Sequence, residues 1–369
     1  MKMIKTFLCI LILSLASIEL GAVTIGQAKI LPDNTNIALT GKIVSRVFPG
    51  GIFYIQEPDR TSGIRVSTAG VMPVVGDIVD VSGNLLTYNI SSIPIKRFIL
   101  ASSVIKTGQT TAPGPFGMLS KSVGGSQIPP NLPGILNSQG PNNMGLLAKI
   151  SGTITYISGN RVIVDDGYGI SNENNSKGVT VISPDTPDFY VGEFVNSTGI
   201  ISGWVPSGFS YAVPAILVSD LSDIQLVGKD GETGNLTGTV MSTFDELLEG
   251  VNVQLTPSSQ TTNTNSQGIY SFASLPAGTY KAVFTKSGYN TLEKTINVHN
   301  AMTNYLDVIM QSQTGKIRIY VRDNHNRPLQ QASVSVSPGE HLIFTDINGY
   351  AEITNLNPNN YEVKVCVQG

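Results

Sequence analysis

The residues best suited to metal or proton chemistry are His299, His325 and His341, and their spacing supports neither. None belongs to an H-E-x-x-H or H-x-H pair, so zinc-dependent hydrolysis has no ligand set. Gly208-Phe209-Ser210-Tyr211-Ala212 comes close to the G-x-S-x-G nucleophile pattern. No helical periodicity follows it to build a nucleophile elbow, so Ser210 reads as a surface loop residue. Cys366 has no histidine nearby in sequence and sits in an alternating run, where a small buried residue is expected. Asp165-Asp166-Gly167 and Asp346-Ile347-Asn348-Gly349 place oxygen donors at short spacing. Both lack the downstream bidentate glutamate of a full calcium loop and read as β-turns. No local motif nominates a carboxylate pair for glycoside chemistry. The expectation is no catalytic residue, no metal and no cofactor.

Binding chemistry is better represented. Trp204, the sole tryptophan, sits with Phe209 and Tyr211 in a Gly/Pro-rich stretch running from Ser202 to Tyr211. Aromatic faces stack on sugar rings or bases, and Gly and Pro limit the entropy lost when such a loop is ordered. The competing reading makes Trp204 a cap on a hydrophobic core. Tyr54 and Tyr88, with Lys96 and Arg97, form a weaker set of the same kind. A lone basic pair beside a strand is ordinarily a solvated edge.

The composition limits what can position these residues. Charged residues are 13% of the 369-residue chain, about half the roughly 25% usual in a soluble domain. With 38 Gly and 20 Pro, the chain cannot hold many long helices, and coiled coils, bundles and large parallel α/β folds are excluded. At 41% apolar it can fill several small cores. The net charge of −3 gives no general capture of nucleic acid or anionic membrane. Lys2 and Lys5 precede an apolar run from Phe7 to Ile18, too short to span a bilayer. Residues 1–22 read as a signal peptide cleaved near Ala22 or Ala16, which implies a secreted, extracellular or cell-surface protein without a membrane span. Cleavage also removes Cys9, leaving Cys366 without an intramolecular disulfide partner.

Two internal repeats organise the rest. A shift of 81 residues superimposes 234–288 on 315–369 without a gap. Thr264 and Gly268 fall on Thr345 and Gly349, Leu275 on Leu356, and Tyr280 on Tyr361. Apolar and polar residues alternate in short runs such as Val251-Asn-Val253-Gln-Leu255, the pattern of half-buried antiparallel strands. The stretch from Thr264 to Tyr280, with Leu275-Pro-Ala-Gly278-Thr-Tyr280, resembles the carboxypeptidase regulatory-like domain, a transthyretin-like β-sandwich. In the second copy Asn357-Pro-Asn-Asn360 replaces the Pro-Ala-Gly turn, and Ala351 stands where an aromatic is usual. The first copy continues to about Met310, whereas the second stops at Gly369, so it is expected to be truncated.

The second repeat is fainter. Leu39-Thr-Gly41-Lys-Ile43 resembles Ile150-Ser-Gly152-Thr-Ile154, and Phe53-Tyr-Ile55-Gln-Glu57 resembles Val162-Ile-Val164-Asp-Asp166. Gly76 and Gly83 keep the spacing of Gly192 and Gly199. Five short strands with a Gly-Asp turn before the fourth describe an OB-type barrel, with a plain β-sandwich as the alternative. The resemblance is to the tandem OB-like domains of secreted bacterial proteins. It puts the Trp204 loop between the fourth and fifth strands of the second barrel, beside the ligand face of such folds.

The expected fold is therefore all-β: two OB-like barrels followed by two transthyretin-like β-sandwich domains, the last incomplete. Barrel one occupies 23–106, an extended Pro/Gly-rich connector 107–145, and barrel two 146–227. The regulatory-like domains occupy 233–311 and 315–369. Phe116, Met118 and Leu136 are the candidates for pinning the connector to a barrel. The expected function is non-enzymatic binding and spacing, with a polysaccharide or cell-surface glycan as partner. Single-stranded nucleic acid on the barrel pair is one alternative, although 28–227 lacks a cluster of Lys and Arg. The other makes these the accessory domains of a larger secreted hydrolase, with a catalytic or anchoring domain beyond Gly369.

Overall fold

The computed structural model describes residues 23–339, 341–357 and 359–367, so the signal-peptide segment and Gly369 lie outside the described residues. The chain divides into two compact units, Met1–Ile224 and Gln225–Gly369.

In the first unit α1 (Ile25–Lys29) leads into β1 (Asn36–Phe48), β2 (Ile52–Gln56), β3 (Gly63–Ser67), β4 (Asp77–Ile90) and β5 (Ile93–Gln109). The strands close a barrel in the order β1-β2-β3-β5-β4, with β3 parallel to β5 and β1 paired to β4. This is an OB-type Greek-key barrel. Strand alternation fills its interior with Leu39, Val44, Phe53, Ile55, Ile64, Val66, Val79, Val81, Leu85 and Ile99. Ile25 and Ala28 of α1 join the same core. Thr24 and Gln27 form a capping box that starts this short helix.

After β6 (Phe116–Gly117), the second barrel comprises β7 (Leu147–Ser158), β8 (Arg161–Asp165), β9 (Val179–Ile182), β10 (Phe194–Trp204) and β11 (Val213–Leu217). Strand β7 pairs β8 and β10, β8 pairs β9, β9 runs parallel to β11, and β10 pairs β11. The ring is thus closed in the same order as the first. The chain leaves this unit at β12 (Ile224–Leu226).

The two barrels share a small core of their own. Tyr54 of β2 is 1% exposed and packs with Leu147 of β7 and Ile200 of β10, flanked by Phe48, Ile52 and Leu217. Burying each of these side chains stabilises by roughly 1.5–3 kcal/mol, so docking draws on the same force as folding. Close to that core the backbones meet at two glycines. A Cβ on Gly63 would lie 2.3 Å from the Gly145 carbonyl oxygen, and one on Gly145 would lie 2.5 Å from that of Gly63. Polar contacts complete the joint: Arg46 with Asp223 at 3.1 Å, Lys96 Nζ with Ser202 Oγ at 3.0 Å, and Lys29 Nζ with the Met144 carbonyl at 2.8 Å.

The connector is folded rather than extended. β6 adds to β7 in parallel, and the Arg60 guanidinium lies 3.7 Å above the Phe116 ring. Leu136, expected as an anchor, is 57% exposed. Its anchors are Val123, Leu132, Ile135 and Met144, all buried.

In the second unit the first sandwich has strands β13 (Thr233–Ser242), β14 (Asn252–Thr256), β15 (Thr261–Asn263), β16 (Ile269–Pro276), β17 (Gly278–Thr285), β18 (Leu292–Val298), β19 (Thr303–Tyr305) and β20 (Val308–Met310). Sheet β16-β13-β19, with β20 also on β13, faces sheet β15-β14-β17-β18 across one apolar core. The second sandwich has β21 (Gly315–Tyr320), β22 (Ser333–Ser337), β23 (His341–Phe344), β24 (Tyr350–Leu356) and β25 (Glu362–Cys366). Its sheets are β21-β24 and β23-β22-β25 around a smaller core. The repeated residues do the same work in both. Thr264 and Thr345 are buried; each hydroxyl accepts from a backbone N–H (Val251, Ala332) and donates to a carbonyl (Leu248, Leu329). Tyr280 and Tyr361 donate to the carbonyl four residues back, both at 2.8 Å.

Cys366 corrects the expectation of burial: it is exposed. Among the described residues β25 pairs only with β22, whereas its counterpart β17 lies between β14 and β18.

Gly63→Ala is expected to cost about 1–3 kcal/mol in urea unfolding of the barrel unit, because backbone cannot move aside for the methyl group. Gly114→Ala, where a Cβ meets nothing within 4 Å, is the control and is expected to stay within about 0.5 kcal/mol. Burial lowers the Lys29 ammonium from 10.5 to about 7. The folded state therefore binds fewer protons than the unfolded state between these values, and stability gained from this group rises with pH across pH 7–10.5 and is flat below. Lys29→Met is expected to reduce the slope of stability against pH in that window by roughly 1 kcal/mol per pH unit, and equal slopes would contradict the burial of this amine.

Candidate functional site

The hairpin joining β4 to β5 in barrel one and the loop joining β10 to β11 in barrel two converge on one cleft of about 470 Å³. Ile93 and Pro94 form one wall, and Ser210, Tyr211 and Ala212 form another. The connector supplies the third through Ser126, Gln127 and residues 133–138. The lining carries hydroxyls, carboxamides, proline rings and one phenol, and no Asp, Glu, Lys, Arg or His.

The sequence explains how these walls are held. Ile135 is 3% exposed and anchors the connector beside Gly203 of β10, where a Cβ would also crowd Ile95 of β5 at 3.1 Å. Asn142 ties the connector to itself by donating to the Pro133 and Ser126 carbonyls. Ser138 Oγ bonds the Lys121 and Val123 carbonyls and receives the Gly125 N–H at 3.0 Å. A Pro/Gly-rich segment thus becomes a fixed wall through side-chain-to-backbone bonds.

The five aromatic candidates separate into three groups. Tyr211 lines the cleft at 38% exposure, and Phe209 meets it edge to face with ring centroids 5.2 Å apart. Trp204 closes β10 without joining the cleft lining. It is half-buried beneath Arg161, whose guanidinium sits 4.9 Å from its ring and pairs with Glu173 at 3.0 Å. Its buried Nε1 has no hydrogen-bond acceptor among the described residues. The capping reading of Trp204 therefore fits its surroundings better than a stacking platform does.

Tyr54 is a correction. It belongs to the barrel–barrel core, and burial pushes its phenol above the usual range, so it presents no face to a ligand. Tyr88, 39% exposed, remains on the outer face of barrel one, directly across from Lys96 in the β4–β5 ladder. Arg97 turns away from that face to bond Asp33, Thr87 and the Leu31 carbonyl.

The walls from 93–94 and 126–138 escaped sequence reasoning. For 126–138 the signal is compositional only, a Pro/Gly/Ser/Asn-rich stretch of the kind that also makes plain linkers, and Ile93-Pro94 carries none. The loops with carboxylates are turns. Asp346 Oδ1 accepts from the backbone N–H groups of Asn348 and Tyr350, and Asp165 Oδ1 from those of Gly167 and Gly169. Among the described residues no group of three or more His, Cys, Asp or Glu is placed to hold a metal ion, and no helix is long and apolar enough to cross a membrane.

Solved structures similar to the chain include the Bacillus anthracis TIE protein, at 16% identity and TM-score 0.24, covering 60% of this chain and 52% of that one. A streptococcal ancillary pilin matches at 14% identity and TM-score 0.21, covering 48% and 67%. GBS52, the minor pilin of Streptococcus agalactiae, matches at 15% identity and TM-score 0.20, covering 39% and 67%. The chain thus spans about half the length of the first of these. None of the curated proteins matches it. Residues 235–311 match the carboxypeptidase regulatory-like domain family, and with the sandwich of β13–β20 at that position this segment is a domain of that kind.

Proposed function

We propose that the protein is a non-catalytic, exported binding and spacer protein associated with the cell surface, whose barrel pair takes a carbohydrate at the cleft between its two β4–β5-type loops. The observation that carries this reading is the lining. A neutral cleft with a half-exposed tyrosine, a proline ring and several hydroxyl and amide groups offers a sugar ring one apolar face and many hydrogen-bond partners. A polyanion would instead need cations along the groove, and the lining supplies none. The regulatory-like sandwiches are read as spacers, and fold alone assigns them no ligand. The signal-like N-terminus supports export.

The test is a polysaccharide array probed with the wild-type chain, Tyr211→Ala and Trp204→Ala. Tyr211→Ala is expected to lose binding by about tenfold or more, in line with 1–3 kcal/mol for one stacked ring, while its stability changes by less than about 0.5 kcal/mol. Trp204→Ala is expected to cost about 2 kcal/mol in chemical denaturation, because it removes packing beneath Arg161. Retained binding in Tyr211→Ala would remove this cleft as the site, and no glycan bound by the wild type would remove the carbohydrate reading.

A further inference from the structure

The outer face of barrel one carries two cations that the fold leaves without counter-charge. Arg65 of β3 stands between Tyr54 of β2 and Phe98 of β5 in the strand register. Its guanidinium lies 5.3 Å from the Tyr88 ring and 5.4 Å from the Phe98 ring. Among the described residues it makes no ion pair, and its buried Nε has no acceptor. Lys96 is 8% exposed, with Nζ 5.4 Å from the same Tyr88 ring and a neutral hydroxyl, Ser202 Oγ, as its hydrogen-bond partner.

Four other cations of this barrel have carboxylate partners, while Lys29 and Arg60 are held by backbone carbonyls. Lys42 pairs with Glu57, Arg46 with Asp223, Arg97 with Asp33 and Lys106 with Asp77. Burial and the charge of Arg65 both lower the Lys96 ammonium, to about 7, and no carboxylate acts to raise it. Two like charges held together away from water are unfavourable unless an anion joins them. Lys96 is buried, whereas Arg65 is half-buried and Tyr88 39% exposed, so solvent meets the pair at the Arg65–Tyr88 end.

We propose that Arg65 and Lys96, walled by Tyr88, bind a single oxyanion carried by a saccharide whose ring occupies the adjacent cleft. Lys96 bonds Ser202, and the next residue, Gly203, lies against Ile135 and Ala212, both of which line the cleft. Pro94 and Lys96 are two residues apart across a bulge, a span of at most about 7 Å, which is the scale of one sugar unit. One anionic group is the fit, because the next cations along β5, Arg97 and Lys106, are already paired with Asp33 and Asp77. The saccharide part rests on the carbohydrate reading above, whereas the anion site stands on its own geometry.

The experiment is calorimetric titration of the full chain with a neutral trisaccharide bearing one terminal uronate (the acidic trimer), its carboxyl-reduced counterpart and a deoxythymidine decamer. The wild type is expected to bind the acidic trimer at least about tenfold more tightly than the reduced one, as befits a charge-assisted hydrogen-bonded contact. Arg65→Gln is expected to erase that preference while keeping affinity for the reduced trimer, and Lys96→Met to do the same. Tyr211→Ala is expected to weaken both trimers alike. Equal affinities on the wild type, or a preference that survives Arg65→Gln in a protein with an unchanged melting curve, would overturn the proposal. A decamer that binds more tightly than the acidic trimer, and loses affinity in Arg65→Gln, would overturn the saccharide assignment. If neither trimer binds, acetate and inorganic phosphate titrated against the Arg65 side-chain NMR signals separate the two readings. A shift that Lys96→Met abolishes would keep the oxyanion site and remove the sugar, and no shift would remove the site.

Discussion

The packing of Tyr54 against Leu147 and Ile200 decides what the N-terminal unit is. Each barrel has its own interior, and either could close alone. An aromatic ring on the outside of β2 would then face water, as it does on many OB-type surfaces. Here it meets a second barrel, and Gly63 and Gly145 let the backbones approach closely enough for the ring to be covered. The cleft follows from that contact. Its walls belong to two barrels and a connector, so it exists only while the barrels are docked.

Docking is also costly in polar terms, and those costs mark where the unit is specialised. Lys29 and Lys96 lose most of their hydration and recover only neutral acceptors, two carbonyl oxygens and one hydroxyl. Replacing either with an apolar residue would suit a purely structural joint. At Lys29 the reward is local, since the connector wall is tethered to α1 through Met144 and Asn142. At Lys96 the neighbour is Arg65, a second cation, and the pair adds nothing to stability by itself. Charge placed against stability in this way is a signature of a binding surface more often than of a scaffold.

Much of this was legible in the chain. Period-two alternation and the Gly76/Gly83 and Gly192/Gly199 spacing located the strands that close each barrel. The 81-residue repeat located the sandwiches, and Thr264 with Thr345 shows why those positions match: one hydroxyl bridges the same two backbone groups in each. Tyr54 was misread for a specific reason. Alternation says that a side chain points away from its own core, but it does not say whether water or another domain lies there. The connector was misread likewise, because Ser138 and Asn142 make a linker rigid through bonds to distant carbonyls that composition does not show. Cys366 followed the strand pattern, yet sits on a strand with one open side. The loop bearing Phe209 and Tyr211 joins β10 to β11, but that Trp204 is covered depends on Arg161, a residue of another strand.

The cleft is a fixed site only if barrels one and two form a rigid pair. Spin labels at Ser102 on β5 and Lys177 before β9, both exposed, would report this in the full chain once Cys9 and Cys366 are replaced by serine. Pulsed dipolar spectroscopy is expected to give one narrow distance distribution, unchanged from low to high salt because the joint is largely apolar. A broad distribution spanning many separations would mean that the barrels tumble independently, and the shared cleft would then have no fixed shape.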